Sequence, residues 1–194
     1  MPSQITAAVA QAIQDPKIWG ETYGFWTQTA MLGLAALFAF VAIISARRIE
    51  RKKSAIEIIF ESRKDDELTK ALRLIAALHE GEQKMESLAK KEKIDSEESK
   101  SIRYALNHFE SVAVSIAHGI FDEGTFKSSQ YSTVTRLYER TKSYIQAIRT
   151  QPGGTRTFFQ EFECLACRWL EKPLKHKPIR SVPVRSILNF FGLS

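Results

Sequence analysis

Proline and glycine are scarce in this chain of 194 residues, at six and nine. The alternation of β-branched and polar residues that marks short strands is equally hard to find, which disfavours a strand-rich sandwich or barrel and leaves helix. Cysteine is scarcer still: Cys164 and Cys167 are the only two, too few to staple a secreted scaffold, so no disulfide framework is implied. A glycine-rich phosphate loop, a Glu-x-x-His di-iron repeat and a Gly-x-Ser-x-Gly elbow are missing as well, removing the signatures of three common chemistries. Charge itself is absent between Glu21 and Arg47, and no soluble amphipathic helix leaves so long a gap.

What fills that gap is the strongest signal in the chain. Residues 24–46 read GFWTQTAMLGLAALFAFVAIISA, apolar on every helical face from Ala30 onward. As a helix, 23 residues cover about 34 Å, enough to cross a hydrocarbon core of about 30 Å with modest tilt. A buried core helix would need apolar surface on all sides, which a domain of this size does not supply. Trp19, Tyr23, Phe25 and Trp26 gather at one end, where amphipathic rings favour the headgroup level, and Arg47, Arg48, Arg51, Lys52 and Lys53 crowd the other. The basic end is therefore expected in the cytoplasm and the N-terminus outside. A cleaved signal peptide would carry its positive charge before a shorter apolar run, so a retained anchor in a plasma membrane is the reading. Residues 1–23 then form a short outer segment, with Ile5, Val9, Ala12 and Ile13 as one helical stripe ending at Asp15-Pro16.

The net charge of +6 would suggest a nucleic-acid binder if it lay along one face. Instead, residues 47–53 and 171–185 hold +4 each, and the rest of the chain sums to −2. The body between them is close to neutral and shows no aromatic stacking platform, so nucleic acid is not favoured as a partner.

After a basic juxtamembrane helix over 47–64, where Ile56, Ile59 and Phe60 share a side, the pattern predicts a bundle of about four helices over 65–172. The first runs from Asp66 to Glu80 with Leu68, Leu72, Ile75, Ala76 and His79 in step, and Gly81 breaks it before a polar stretch carrying Met85 and Leu88. The next starts at Asp95-Ser96 with acidic residues in its first turn and stops at Gly119. Its core stripe is Ile102, Leu106, Phe109, Ala113, Ile116 and Ile120, while Tyr104, His108, Ser111, Ser115 and His118 occupy the other side. Tyr104, His108 and His118 make a candidate polar surface, although solvated faces commonly carry such residues and the two imidazoles lie about 15 Å apart on an ideal helix, too far to share a metal. A further helix follows Asp122-Glu123-Gly124, with Val134, Leu137, Tyr138, Thr141, Tyr144, Ile145 and Ile148 as its stripe, and ends at Gln151-Pro152-Gly153-Gly154. The last carries Phe158, Phe162, Leu165, Ala166 and Trp169 inward and is stopped by Pro173.

Three blocks of this body, YALNHFESVAVSIAHGIFDEGTF, TRLYERTKSYIQAIR and FFQEFECLACRWLEK, resemble in order and character a domain-of-unknown-function family of small, N-terminally membrane-anchored helical proteins from bacteria and their prophages. The resemblance covers about residues 55–172 and rests on ordinary helical residues. It implies the all-helical fold and a bacterial inner membrane, and brings no catalytic residue and no cofactor.

Chemistry in the body is sparse. Cys164 and Cys167 form a Cys-x-x-Cys pair inside a helix, without the strand-to-helix junction that activates a redox pair and without a second ligand pair for zinc; buried thiols are expected. In the tail over 173–194 and the lysine just before it, Lys172, Lys175, Lys177, Arg180 and Arg185 alternate with prolines and lead to Phe190 and Phe191. Such a stretch either contacts anionic lipid headgroups, at about 1 kcal/mol per basic residue, or stays disordered or folds back on the bundle. The functional expectation is a single-pass anchored helical protein that binds another protein at the cytoplasmic face. A tethered enzyme or toxin-like effector is the alternative. Ala35, Ala39, Ala42 and Ala46 offer a small-residue row for a homo-oligomer that acts as scaffold or pore, though alanine is common in spanning helices without such a role.

Overall fold

The computed structural model describes residues 17–18, 21–81 and 84–174. It divides into two compact units, Met1–Glu50 and Arg51–Ser194. Among the described residues the fold is six helices and one two-residue strand pair.

In the first unit, β1 (Lys17–Ile18) pairs antiparallel with β2 (Glu21–Thr22), Lys17 opposite Thr22. Helix α1 (Tyr23–Lys64) follows at once and continues into the second unit. Within it, an 18-residue window has a mean hydropathy of 2.3 and no buried residue. Met31 and Phe38 are more than 70% exposed, so this is not a core helix of its own chain. It is long and apolar enough to cross a membrane.

The second unit contains the end of α1, then α2 (Asp66–Glu80), the single turn α3 (Met85–Leu88), α4 (Glu97–Ala117), α5 (Glu123–Thr150) and α6 (Gln160–Glu171). Three helices start on side-chain caps, of which the sequence indicates the one at Ser96. Asp65, Ser96 and Asp122 accept hydrogen bonds from the backbone N–H groups of Leu68, Ser99 and Thr125 at 2.9, 3.2 and 2.8 Å, each such cap being worth about 1 kcal/mol. The Leu68 N–H and the Tyr104 phenol hold the Asp65 carboxyl below the usual aspartate range, and the Thr125 hydroxyl and N–H do the same for Asp122. At the end of α4, Gly119 adopts φ +69°, a left-handed turn that glycine enters without strain, and the guanidinium of Arg51 lies over the space where a side chain would be. The Arg51 carbonyl also accepts the Asp122 N–H at 3.2 Å, joining α1 to the start of α5.

α4 packs against α2 and α6, and α5 packs against α3 and α6. The core between them is filled by Ile102, Leu106, Phe126, Tyr144, Phe162 and Trp169. Trp169 is fully buried, close to the rings of Phe126 and Tyr131, and its indole N–H donates to Glu123 at 2.9 Å.

Several expected positions move. The stretch with Met85 and Leu88 is not a solvated turn: both side chains are buried. Ile120 follows the αL glycine and is 55% exposed, because the chain has left the helical register there. On α1 the bundle buries Ala55 and Ile59, whereas Ile56 and Phe60 are exposed. Phe158 is 40% exposed, and Phe159 takes its place inside.

Candidate functional site

α4 presents the bundle's charged and polar side chains to two different neighbours. Toward α1, the Ser62 hydroxyl donates to its own helix at the Ile58 carbonyl, 2.6 Å. The same hydroxyl lies 2.9 Å from His108 Nε2, within hydrogen-bond distance. Burial pushes the His108 pKa down, while the charge of Asp65 opposes the shift. One turn earlier on α4, Tyr104 donates its phenol to Asp65 at 2.8 Å, which raises the phenol's pKa. The serine, histidine and aspartate types superficially suggest a nucleophilic triad. A triad would have the aspartate bonded to the imidazole's other nitrogen, and here Asp65 bonds to the Tyr104 phenol and the Leu68 N–H instead. Tyr104 and His108 therefore hold the end of α1 and the start of α2 on the bundle, and Ser62 and Asp65 are the partners that sequence reasoning missed. His118 is exposed and outside this cluster.

On its other side α4 borders a cavity of about 550 Å³. Arg103, Asn107 and Glu110, spaced four and three residues apart on α4, form one wall, Ile148 of α5 contributes apolar surface, and the loop over 151–159 closes it with Phe158 and Phe159. Arg103 donates to the Ile94 carbonyl at 2.9 Å. The Glu110 carboxylate accepts the backbone N–H groups of Glu161 and Phe162, at 3.2 and 2.7 Å, and so caps α6 from another helix. α6 needs this, because its own N-cap is Phe159 at φ 57°, with no capping side chain.

The loop is held from behind. Arg149 donates from Nε to the Phe158 carbonyl at 2.9 Å and from Nη1 to Glu163 at 2.5 Å, and the Gln151 amide donates to the Ala89 carbonyl. Glu163 also accepts from the Tyr138 phenol at 2.9 Å. Burial alone would raise the Glu163 carboxyl, but Arg149 and Tyr138 hold it below the usual glutamate range. The Tyr138 phenol is pushed far up by burial and by its hydrogen bonds to Cys167 and Glu163.

The cysteines are not both buried. Cys164 is exposed, because it lies on the outer side of α6, and Cys167 is half-buried with its sulfur 3.5 Å from the Tyr138 hydroxyl. Among the described residues no three His, Cys, Asp or Glu side chains cluster as metal ligands would.

The expected membrane-interface residues distribute as follows. Tyr23 and Trp26 are exposed on the first turns of α1, and Arg47, Arg48, Arg51, Lys52 and Lys53 are exposed further along it. Trp19 lies outside the described residues, as do the helix expected within residues 1–23 and the tail residues Lys175, Lys177, Arg180, Arg185, Phe190 and Phe191. Lys172 is exposed, and its carbonyl accepts from the Lys127 ammonium at 2.6 Å. No curated protein and no solved structure matches the chain. The model of one family does match, over residues 29–169, taking in most of α1 and the bundle as far as Trp169: the chain belongs to the family described as domain of unknown function (DUF4760).

Proposed function

We propose that the protein is a single-pass membrane protein of the bacterial inner membrane whose cytoplasmic bundle binds another protein through the cavity between α4 and the 151–159 loop. The observation that carries this reading is the cavity's lining. Of its two charged groups, Glu110 caps α6, and Arg103, which donates to the Ile94 carbonyl, stands beside apolar surface from Ile148, Phe158 and Phe159. Such a mixture suits an apolar side chain presented next to a carboxylate, as on a partner's peptide segment. The exposed aromatic at its rim is the kind of residue that anchors protein contacts. The basic block after the apolar stretch supports a cytoplasmic bundle. A role in prophage-linked exclusion, defence or regulation follows only from the resemblance. The enzyme alternative loses support at Tyr104 and His108, which hold helices together.

The test is a photo-crosslinking residue at position 158 of the full-length protein in cells. A discrete adduct with another protein is expected, lost on Arg103→Glu and absent when the probe replaces the exposed Glu139. No adduct at 158, or one indifferent to Arg103→Glu, would overturn the reading. Orientation is checked separately at the exposed Cys164: a membrane-impermeant maleimide should label it in permeabilised cells and not in intact ones.

A further inference from the structure

On α1 the side chains turned to the bundle are Ala55 and Ile59, which are buried, and Ile58 and Ser62, which are partly so. Ile56 and Phe60 are 45% and 54% exposed and lie about 110° and about 150° around the helix from the centre of that face. In water two large apolar side chains one turn apart are a cost unless something covers them.

The sequence indicates what does. Ile56 and Phe60 continue an unbroken alternation of four- and three-residue steps that runs Ala35, Ala39, Ala42, Ala46, Ile49, Lys53, Ile56, Phe60, all within one helix. A repeat of 3.5 residues is the seam of a left-handed two-helix coil. Its upstream part uses small residues, which permit close approach where lipid gives no hydrophobic drive, and its downstream part uses large ones, which water drives together.

Charges agree with a parallel pairing. With Ile49 and Ile56 at d positions and Lys53 and Phe60 at a positions, Lys52 falls at g and Glu57 at the following e, the two positions that face each other across a parallel dimer, and they have opposite signs. Lys53 is a single polar a residue, the device that fixes register at some expense in stability; its ammonium lies 3.8 Å from Glu57 of its own helix. We infer that a second copy of this chain covers the Ile56–Phe60 face, forming a parallel homodimer along α1, independently of any partner in the cavity.

The experiment uses the full-length protein with Cys164 and Cys167 changed to serine, carrying single cysteines on α1 and oxidised in native membranes. Disulfide-linked dimers are expected at positions 56 and 60 and not at 54 or 61, and the purified parent should contain two chains per particle. Ile56→Glu with Phe60→Glu should reduce this to one chain with helical content unchanged. Lys52→Glu should weaken the dimer, and adding Glu57→Lys should restore it. A monomeric parent would overturn the inference, including one whose position 56 is shielded only by lipid. So would a dimer indifferent to both sets of changes, or cross-links equally strong at position 61.

Discussion

Glu110→Ala tests the physical account of the last helix most directly. The carboxylate accepts from two N–H groups at the start of α6, a helix whose own N-cap offers no side-chain acceptor. Removing it leaves two donors and the positive end of the helix dipole without a partner. A lost N-cap costs about 0.5–2 kcal/mol, and the charge at the helix start adds about 0.3–1 kcal/mol. Since Glu110 is half-buried and water can partly replace it, the expected loss is about 2 kcal/mol for alanine and about half of that for glutamine, which keeps one acceptor oxygen. The assay is urea unfolding of the full chain in mild detergent, followed by circular dichroism. With a slope of about 1–2 kcal/mol per molar, the alanine midpoint should fall by about 1–2 M. Hydrogen exchange should also show early loss of protection at Glu161 and Phe162. A midpoint within about 0.2 M of the parent would refute the capping role and return Glu110 to the cavity as a free charge.

Three further outcomes follow from the packing. Trp169→Ala should destabilise the bundle by about 3–5 kcal/mol, and Trp169→Phe by less, because the phenyl ring keeps contact with its aromatic neighbours while Glu123 loses the indole donor and keeps Arg168; equal unfolding midpoints for the two variants would contradict this. Because burial lowers the folded pKa of His108 below its ordinary 6.5, the unfolded chain takes up the proton first as pH falls. The bundle should therefore hold this increment of stability above pH 6.5 and lose it progressively below, at no more than about 1.4 kcal/mol per pH unit; His108→Gln should flatten that segment of a stability–pH curve, and an unchanged slope would count against it. A methyl group on Gly154 would run into the backbone carbonyl of Ile148, so Gly154→Ala should shift the cavity loop and weaken capture at position 158 more than it lowers the unfolding midpoint.

The start of α4 was the most legible part of this chain, because Ser96 caps within three residues of itself and acidic residues follow it; Asp65 and Asp122 cap their helices in the same local way. α6 was the least legible, since the group that caps it, Glu110, lies 51 residues before Glu161 and no local pattern reports it. That is why Phe158 seemed the first inward ring when Phe159 is. Helical periodicity also treats a helix as having one buried side. α4 is contacted by α2, α5 and α6, and the side opposite its core stripe, read as solvated, receives Ser62 and Asp65 instead. On the last turns of α1, Ala55 with Ile59 and Ile56 with Phe60 fit a packing stripe equally well, and only the position of the bundle chooses between them.

The placement of Trp169 and Phe162 on the last helix of the bundle sets an order of events during synthesis. The apolar stretch over 24–46 is made roughly 120 residues before Trp169, which at about 5–20 residues per second is an interval of about 6–25 s. For the last part of it, once residue 150 has been made, α4 and α5 exist without the rings of Phe162 and Trp169 that fill the space between them. Full folding must wait for translation to pass residue 169, and a message cut short before residue 160 would yield a chain that has its long apolar helix but no closed core, a natural substrate for proteolysis.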